Sequence, residues 1–499
     1  WGQLTSMRTA LILLFLLALA AIPGSVVPQS AQSAMKVSDF AANHPTLDRI
    51  CRPLGMYHVY TSVWFSAIYL LLLISLIGCI VPRIVSHAKA LRRQPPRVPA
   101  RLDRLAAHAS MITSASAAEV SQRAQQWLTS HRYRFVVDDD GSLRAEAGRH
   151  RETGNLVFHI FLVFVLVGVG WNTLWGFKGT SVVVEGQGFS NSITQYDEFK
   201  AGAMVDTDNL TPFSMKLRKF VVSFETGTVQ RGAARSFDAT VDLTMGGKTQ
   251  TRDLQVNHPL RIGSTKVHLL GHGYAADVVV RDGDGKVAYS GPVVFLPQDA
   301  NFKSVGVIKV PDARPDRLAF QGFFLPTGAI TAGGPTSLFP DALNPQLYLT
   351  AWYGKPTVET GVPSNIYTLD TTGLTQVTNG KDKARFVLSP GQRYKLPDGK
   401  GSIQFNGWQR WAKIQVSQNP GLPLTFLSVV LSVAGLCVSL FSRSRRVWVR
   451  TIPGDDGLRV EIGGLDRSDS RSGAVDDVNS LLAALHGDSM SGDVGEEHS

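Results

Sequence analysis

The chain has 499 residues, of which 44% are hydrophobic and 18% charged, with a formal net charge of +10. That length allows two or three domains. Three cysteines exclude a disulfide-stapled scaffold, and the lack of any CxxC or CxxCH excludes a paired-thiol redox motif and a c-type haem carried covalently by this chain.

In chain order, the first feature is an uncharged apolar stretch over 9–27, the first of four; the others cover 59–82, 153–177 and 419–442. Each offers about the 20 residues that a helix needs to cross roughly 30 Å of hydrocarbon. The first stretch, with Arg8 before it and small residues at Ala31 and Ala34, also has the shape of a secretory signal. Because the chain begins at Trp1 rather than Met, an upstream segment is expected, and the stretch is read as a retained span.

Basic residues at the span ends set the expected orientation. Arg83, Lys89, Arg92, Arg93, Arg97 and Arg101 follow the second span, Arg149 and Arg151 precede the third, and Arg443, Arg445, Arg446 and Arg450 follow the fourth. These ends are therefore expected in the cytoplasm, with both termini, while 28–58 and 178–418 face outward from a plasma membrane. The positive charge is then a topology signal, and nucleic-acid binding is not needed to explain it.

Between the second and third spans, 83–152 forms a small α+β unit: a stiff QPPRVP linker, a helix near 117–128, and a hairpin of YRFVV and SLRAEA about a DDDG turn. The segment 178–418 reads as a large all-β, sandwich-like domain. SFDATVDLTM alternates strictly, GG at 246–247 turns the chain, and VVVRDGDGKVAY repeats the design. The DGDG is a hairpin turn, because it lacks the third acidic position and distal Glu of a calcium loop. Residues 443–499 begin basic, then become rich in Gly, Ser and Asp, and are expected to be mostly disordered apart from a short amphipathic VNSLLAALHG.

No Gly-rich phosphate loop, GxSxG elbow or HExxH is present, so no catalytic residue is assigned. The residue that stands out is His159, inside NLVFHIFLVFVLVGVG. It lies roughly 12 Å along a helix from Arg151, too deep for easy snorkelling. An ionisable group at that depth is a functional candidate. A neutral imidazole has a lone pair free for iron, and Asn155, one turn earlier, is placed to orient the other ring nitrogen through its amide. The competing reading is a hydrogen bond to a neighbouring helix, and periodicity alone does not choose. His258, His268 and His272 are read as structural, and Trp64, Trp171 and Trp175 as interfacial anchors.

Taken in order, LTSMRTALILLFLLALAAIPGSVVPQ, YTSVWFSAIYLLLLISLIGCIVPR, GNLVFHIFLVFVLVGVG, VNHPLRIGSTKVHLLGHGY and QVSQNPGLPLTFLSVVLSVAGL resemble the ResB (CcsB-type) family of system II cytochrome c biogenesis, from Leu4 to about Arg450. The resemblance implies an accessory rather than catalytic subunit of a haem-transporting cytochrome c synthase complex. Its partner would be a ResC (CcsA-type) membrane subunit, and together they would move haem b outward and present it to apocytochrome c. His159 matches the family histidine proposed as an axial haem ligand. Cys79 matches a family cysteine of less certain role. The Trp-rich haem-binding tract belongs to the partner, and WQRW at 408–411 does not replace it. The alternatives are a structural assembly factor whose outer domain docks partner or apocytochrome without binding haem, and a receptor, for which no signalling output is recognisable.

Overall fold

The structure is a computed structural model and describes residues 2–30, 34–356, 368–455, 457–466 and 473–486. It divides into two compact units, one of 1–169 with 422–499 and one of 170–421.

The first unit contains α1 (Met7–Val26), α2 (Ala34–Asn43), α3 (Pro45–Cys51), α4 (Val63–Arg92), α5 (Ala117–Ser130) and most of α6 (His150–Trp175), together with α7 (Leu422–Phe441) and α8 (Gly473–His486). Four of the helical segments are long and apolar enough to cross a membrane, and they coincide with the four expected stretches. The second helix differs in its limits: residues 56–61 form a 3₁₀ turn, and α4 starts only at Val63, where Ser62 caps it by accepting from the Phe65 amide. It then runs ten residues past position 82, through Pro82 to Arg92.

Apolar surface cannot by itself hold helices together in lipid, so small residues and polar contacts do so. Ser75 and Cys79 of α4 donate to the carbonyls of Leu4 and Thr5, each at 2.7 Å, and fix the start of α1. Where α6 meets α7, the backbones approach so closely that a Cβ on Gly154 would lie 2.6 Å from the Gly435 oxygen and the Ser439 nitrogen. Ser432 adds a 3.2 Å hydrogen bond to the Phe158 carbonyl. The α4–α6 contact carries a 2.9 Å hydrogen bond between His87 Nε2 and Thr153 Oγ1 and a 3.0 Å Arg83–Glu152 ion pair.

The expectation of a disordered tail after residue 443 is corrected. Arg445–Gly454 and Gly457–Asp466 form an antiparallel hairpin inside a five-stranded sheet, between Ala107–Thr113 on one side and Leu143–Ala147 on the other. Alternate residues Val447, Val449, Val460 and Ile462 are buried against Val120, Ala124, Trp127 and Leu128 of α5 and Val478 and Leu481 of α8. The Trp127 indole donates to Ser480 at 3.1 Å, and Asp477 accepts from Tyr133 at 2.6 Å and from Arg445 at 2.7 Å. The small α+β unit thus consists of the loop and the tail together. Residues 456, 467–472 and 487–499 of the expected tail lie outside the described residues.

The second unit is β-rich and has two lobes rather than one sandwich. Two long strands, Thr265–Arg281 and Ser402–Gln418, pair along their length and run through both lobes. Register shifts at Leu269/Gly271 and Asp277/Val278 interrupt the ladder, and such bulges bend a strand pair. In one lobe Val267, Ile414 and Val416 face the four-stranded sheet that carries Leu217, Ala239, Val241 and Leu254, which is sandwich-like. In the other, the sheet curls around Tyr274, Phe295, Phe320, Phe324 and Phe405, because Arg385–Leu388 pairs with Gln346–Gly354 while the closely following Arg393–Lys395 pairs with Ser402–Gln418. Gly246 and Gly247 have φ of +53° and +76°, as a two-residue hairpin between Met245 and Lys248 requires. The DGDG segment is also a turn, with Asp282 accepting from the Lys286 amide at 2.9 Å.

Candidate functional site

His159 sits in the apolar part of α6 and is half-buried. Its Nδ1 is 2.8 Å from the backbone oxygen of Asn155. A carbonyl only accepts, so Nδ1 donates, and in the neutral ring Nε2 then keeps its lone pair, as an imidazole that binds a metal through Nε2 requires. The orienting group is therefore the Asn155 carbonyl and not, as expected, its amide. The amide oxygen Oδ1 is buried without a hydrogen-bond partner among the described residues. The Phe158 ring stands edge-on to the imidazole at 4.9 Å, and the Phe158 carbonyl is the one bonded by Ser432. The close α6–α7 contact thus fixes the backbone on which His159 is mounted.

The competing role, a hydrogen bond from His159 to another helix, has no support in this geometry, because the bond that is made stays within α6. Among the described residues no group of three or more His, Cys, Asp or Glu is arranged to hold a metal. One imidazole with a free Nε2 offers a single ligand, and any further protein ligand to a metal held there would have to come from outside this set. Cys79 does not join His159; its thiol is engaged with the Thr5 carbonyl.

Below His159 on α6, Arg151, Glu152 and Asn155 border a cavity of about 1290 Å³ shared with the C-terminal ends of α4 and α7. Sequence reading missed this cavity. In sequence the arginines that line it read only as topology signals, and their convergence around the ends of α4, α6 and α7 depends on packing that no single segment displays.

The remaining histidines are dispersed. His258 is exposed beside a turn, its Nδ1 3.2 Å from the Val256 carbonyl. His272 packs among Phe220, Phe237 and Phe302, stacked on the last at 4.6 Å. Burial and the neighbouring Arg410 charge lower its pKa to about 4. WQRW lies in the strand Ser402–Gln418, where the Trp411 indole donates to the Tyr274 and Phe295 carbonyls at 3.0 and 3.2 Å. Gly273 faces that indole so closely that a Cβ would lie 2.4 Å from Trp411 Cζ2. Arg410 pairs with Asp341 at 2.7 Å and lies over the Tyr274 ring at 4.8 Å. Trp411 and Arg410 are thus engaged by partners within the β unit.

The ResB-like family matches residues 7–475, most of the chain. The chain belongs to that family. Similar proteins include cytochrome c biogenesis protein CcsB of Synechococcus sp. (strain JA-3-3Ab), 24% identical over 452 residues that make up 89% of this chain and 82% of that protein. The protein of the same name from Nostoc sp. is 24% identical over 92% of this chain and 87% of its own length, and that from Microcystis aeruginosa is 22% identical over 93% and 91%. The ResB-like match runs through residue 475, so it includes the hairpin and the beginning of α8 that complete the small sheet unit.

Proposed function

We propose that this ResB-like chain acts in cytochrome c maturation as a membrane subunit that handles haem, with His159 as one axial ligand to the iron of haem b. The observation that carries the reading is the imidazole in the apolar stretch of α6 whose Nδ1 proton is committed to the Asn155 carbonyl, leaving Nε2 as a lone-pair donor. Membership of the ResB-like family and the CcsB relatives support the cytochrome c assignment.

The chain's own residues hold, orient and shield. The carbonyl of Asn155 fixes the tautomer, the Phe158 edge limits ring rotation, and the glycine contact of α6 with α7 keeps the helix in place. When bound, haem supplies the iron that binds the imidazole and the vinyl groups that are later joined to apocytochrome c. The second axial ligand is proposed to come from a ResC/CcsA-type partner. The basic clusters support an orientation with the ends of α4 and α7 in the cytoplasm and the β unit outside the plasma membrane, where it would meet apocytochrome c.

The test is co-purification of the chain with its membrane partner. The expected result is a haem absorption spectrum that His159→Ala weakens and that added imidazole restores. A purely hydrogen-bonding His159 predicts instead that Gln or Asn at 159 restores function and that imidazole has no effect.

A further inference from the structure

Three helices change from apolar to charged at one level of the first unit. In α4 the first charge is Arg83, directly after Pro82; α6 carries Arg151 in its first turn; and α7 ends at Phe441, two residues before Arg443. Packing holds these ends in register. His87 bonds Thr153 at 2.9 Å, Gly154 lies against the Gly435 oxygen and the Ser439 nitrogen, and Gly148 lies against the Arg443 carbonyl. For three of the four candidate spans, the boundary between hydrocarbon and water therefore falls here.

The cavity at this level, about 1290 Å³, is amphipathic. Leu436 and Leu440, one turn apart on one face of α7 and both exposed, line its apolar part. Ser86 and Ser442 add hydroxyls, and six arginines stand against only Glu146 and Glu152. Three of the six are engaged within the chain: Arg83 pairs with Glu152, Arg149 lies 3.9 Å from Glu146 and donates to the Leu91 carbonyl at 3.0 Å, and Arg446 is held as well. The side chains of Arg93, Arg151 and Arg443 are exposed and make no ion pair or hydrogen bond among the described residues. Two carboxylates cannot balance six guanidiniums, so the lining keeps an excess of positive charge for an anion.

We propose that this cavity binds the phosphodiester headgroup of an anionic phospholipid, with Arg151 and Arg443 on the phosphate and Leu436 and Leu440 against an acyl chain. Phosphate oxygens accept from guanidinium and hydroxyl groups alike, and basic pockets between membrane helices near the surface suit such headgroups. Exposure of the two arginines fits this ligand, because a lipid enters sideways from the bilayer at the level where leucine gives way to arginine. A soluble anion would make no use of the leucines. His159 is not part of the lining, so the proposal stands or falls apart from the haem reading.

The test places the full chain in nanodiscs of phosphatidylcholine with a minor share of phosphatidylglycerol, and identifies by native mass spectrometry the lipid retained after transfer to detergent. Wild type is expected to keep phosphatidylglycerol in preference to phosphatidylcholine. Arg151→Gln with Arg443→Gln should cut that preference roughly tenfold or more, a few-fold for each arginine. Lys89→Gln with Arg92→Gln, which removes two exposed charges from the same end of α4 but outside the cavity, should leave it unchanged. No preference in wild type, or an undiminished preference in the Arg151 and Arg443 variant, overturns the proposal. An equal loss in the Lys89 and Arg92 variant also overturns it, because diffuse surface charge then accounts for the binding. Displacement of the lipid by inorganic phosphate but not by chloride at equal ionic strength overturns it too, because the site then serves a free anion.

Discussion

Replacing His272 by Phe should make the β unit more resistant to acid. The ring lies among Phe220, Phe237 and Phe302 with Arg410 nearby, and its Nδ1 is buried without a partner among the described residues. The folded protein therefore protonates His272 only at about 4, whereas the usual value is 6.5. Above pH 6.5 the ring is neutral in both states and its contribution to stability is complete. As pH falls from 6.5 towards 4 the unfolded chain takes up a proton that the folded chain refuses, and stability declines. Below 4 both are protonated and the loss levels off. At about 1.4 kcal/mol per pH unit the full loss is about 3 kcal/mol. Phe cannot titrate and fills a similar volume among aromatic rings, so His272→Phe removes this loss. Urea unfolding of the full chain in detergent, followed through the β-unit signal near neutral pH and at about pH 4.5, measures it. The difference between variant and wild type should grow by roughly 2–3 kcal/mol on acidification. An equal decline in both would refute the burial argument.

Four other outcomes are expected. Gly435→Val places a branched side chain where a Cβ already lies 2.8 Å from the Phe158 nitrogen; overpacking of this kind costs roughly 1–3 kcal/mol, read as earlier unfolding of the chain in detergent and mixed micelles. Ser432→Ala, which removes one hydrogen bond, should cost only about 0.6 kcal/mol in the same assay. Truncation after Phe441 removes two strands from the middle of the five-stranded sheet, so residues 107–147 should become sensitive to protease; continued protection there would contradict the pairing. Arg410→Ala should destabilise the β unit by roughly 3 kcal/mol or more, because the guanidinium is buried, paired with Asp341 and set against three aromatic rings.

Local pattern made some elements legible and composition hid others. The four apolar stretches and the alternation of SFDATVDLTM needed only neighbouring residues, and both appear as expected. The tail shows the opposite case. RRVWVRTIPGDDGLRVEIGG carries the same strand–turn–strand pattern that was recognised in VVVRDGDGKVAY, but the surrounding Gly, Ser and Asp made it look disordered. Its glycines are packing residues: a Cβ on Gly463 would lie 2.7 Å from Leu102, and one on Gly464 equally close to Val478. The two-lobed β unit was illegible because strands far apart in sequence, 265–281 and 402–418, form its spine.

At the site, His159 was visible as a polar atom in an apolar run, whereas its hydrogen bond was assigned to the wrong group of the right residue. A backbone carbonyl at i−4 is available to any helical His, and sequence gives no sign of which acceptor is taken. The arginine cavity required three helix ends to meet.

The central claim is that His159 ligates haem iron, and the absorption spectrum of the chain purified with its membrane partner tests it most directly. His159→Ala should leave insertion and partner binding intact while haem content falls and the Soret and α bands shift, with exogenous imidazole restoring them. Unchanged haem content and unchanged bands in His159→Ala would contradict the assignment, even if cytochrome c maturation were lost.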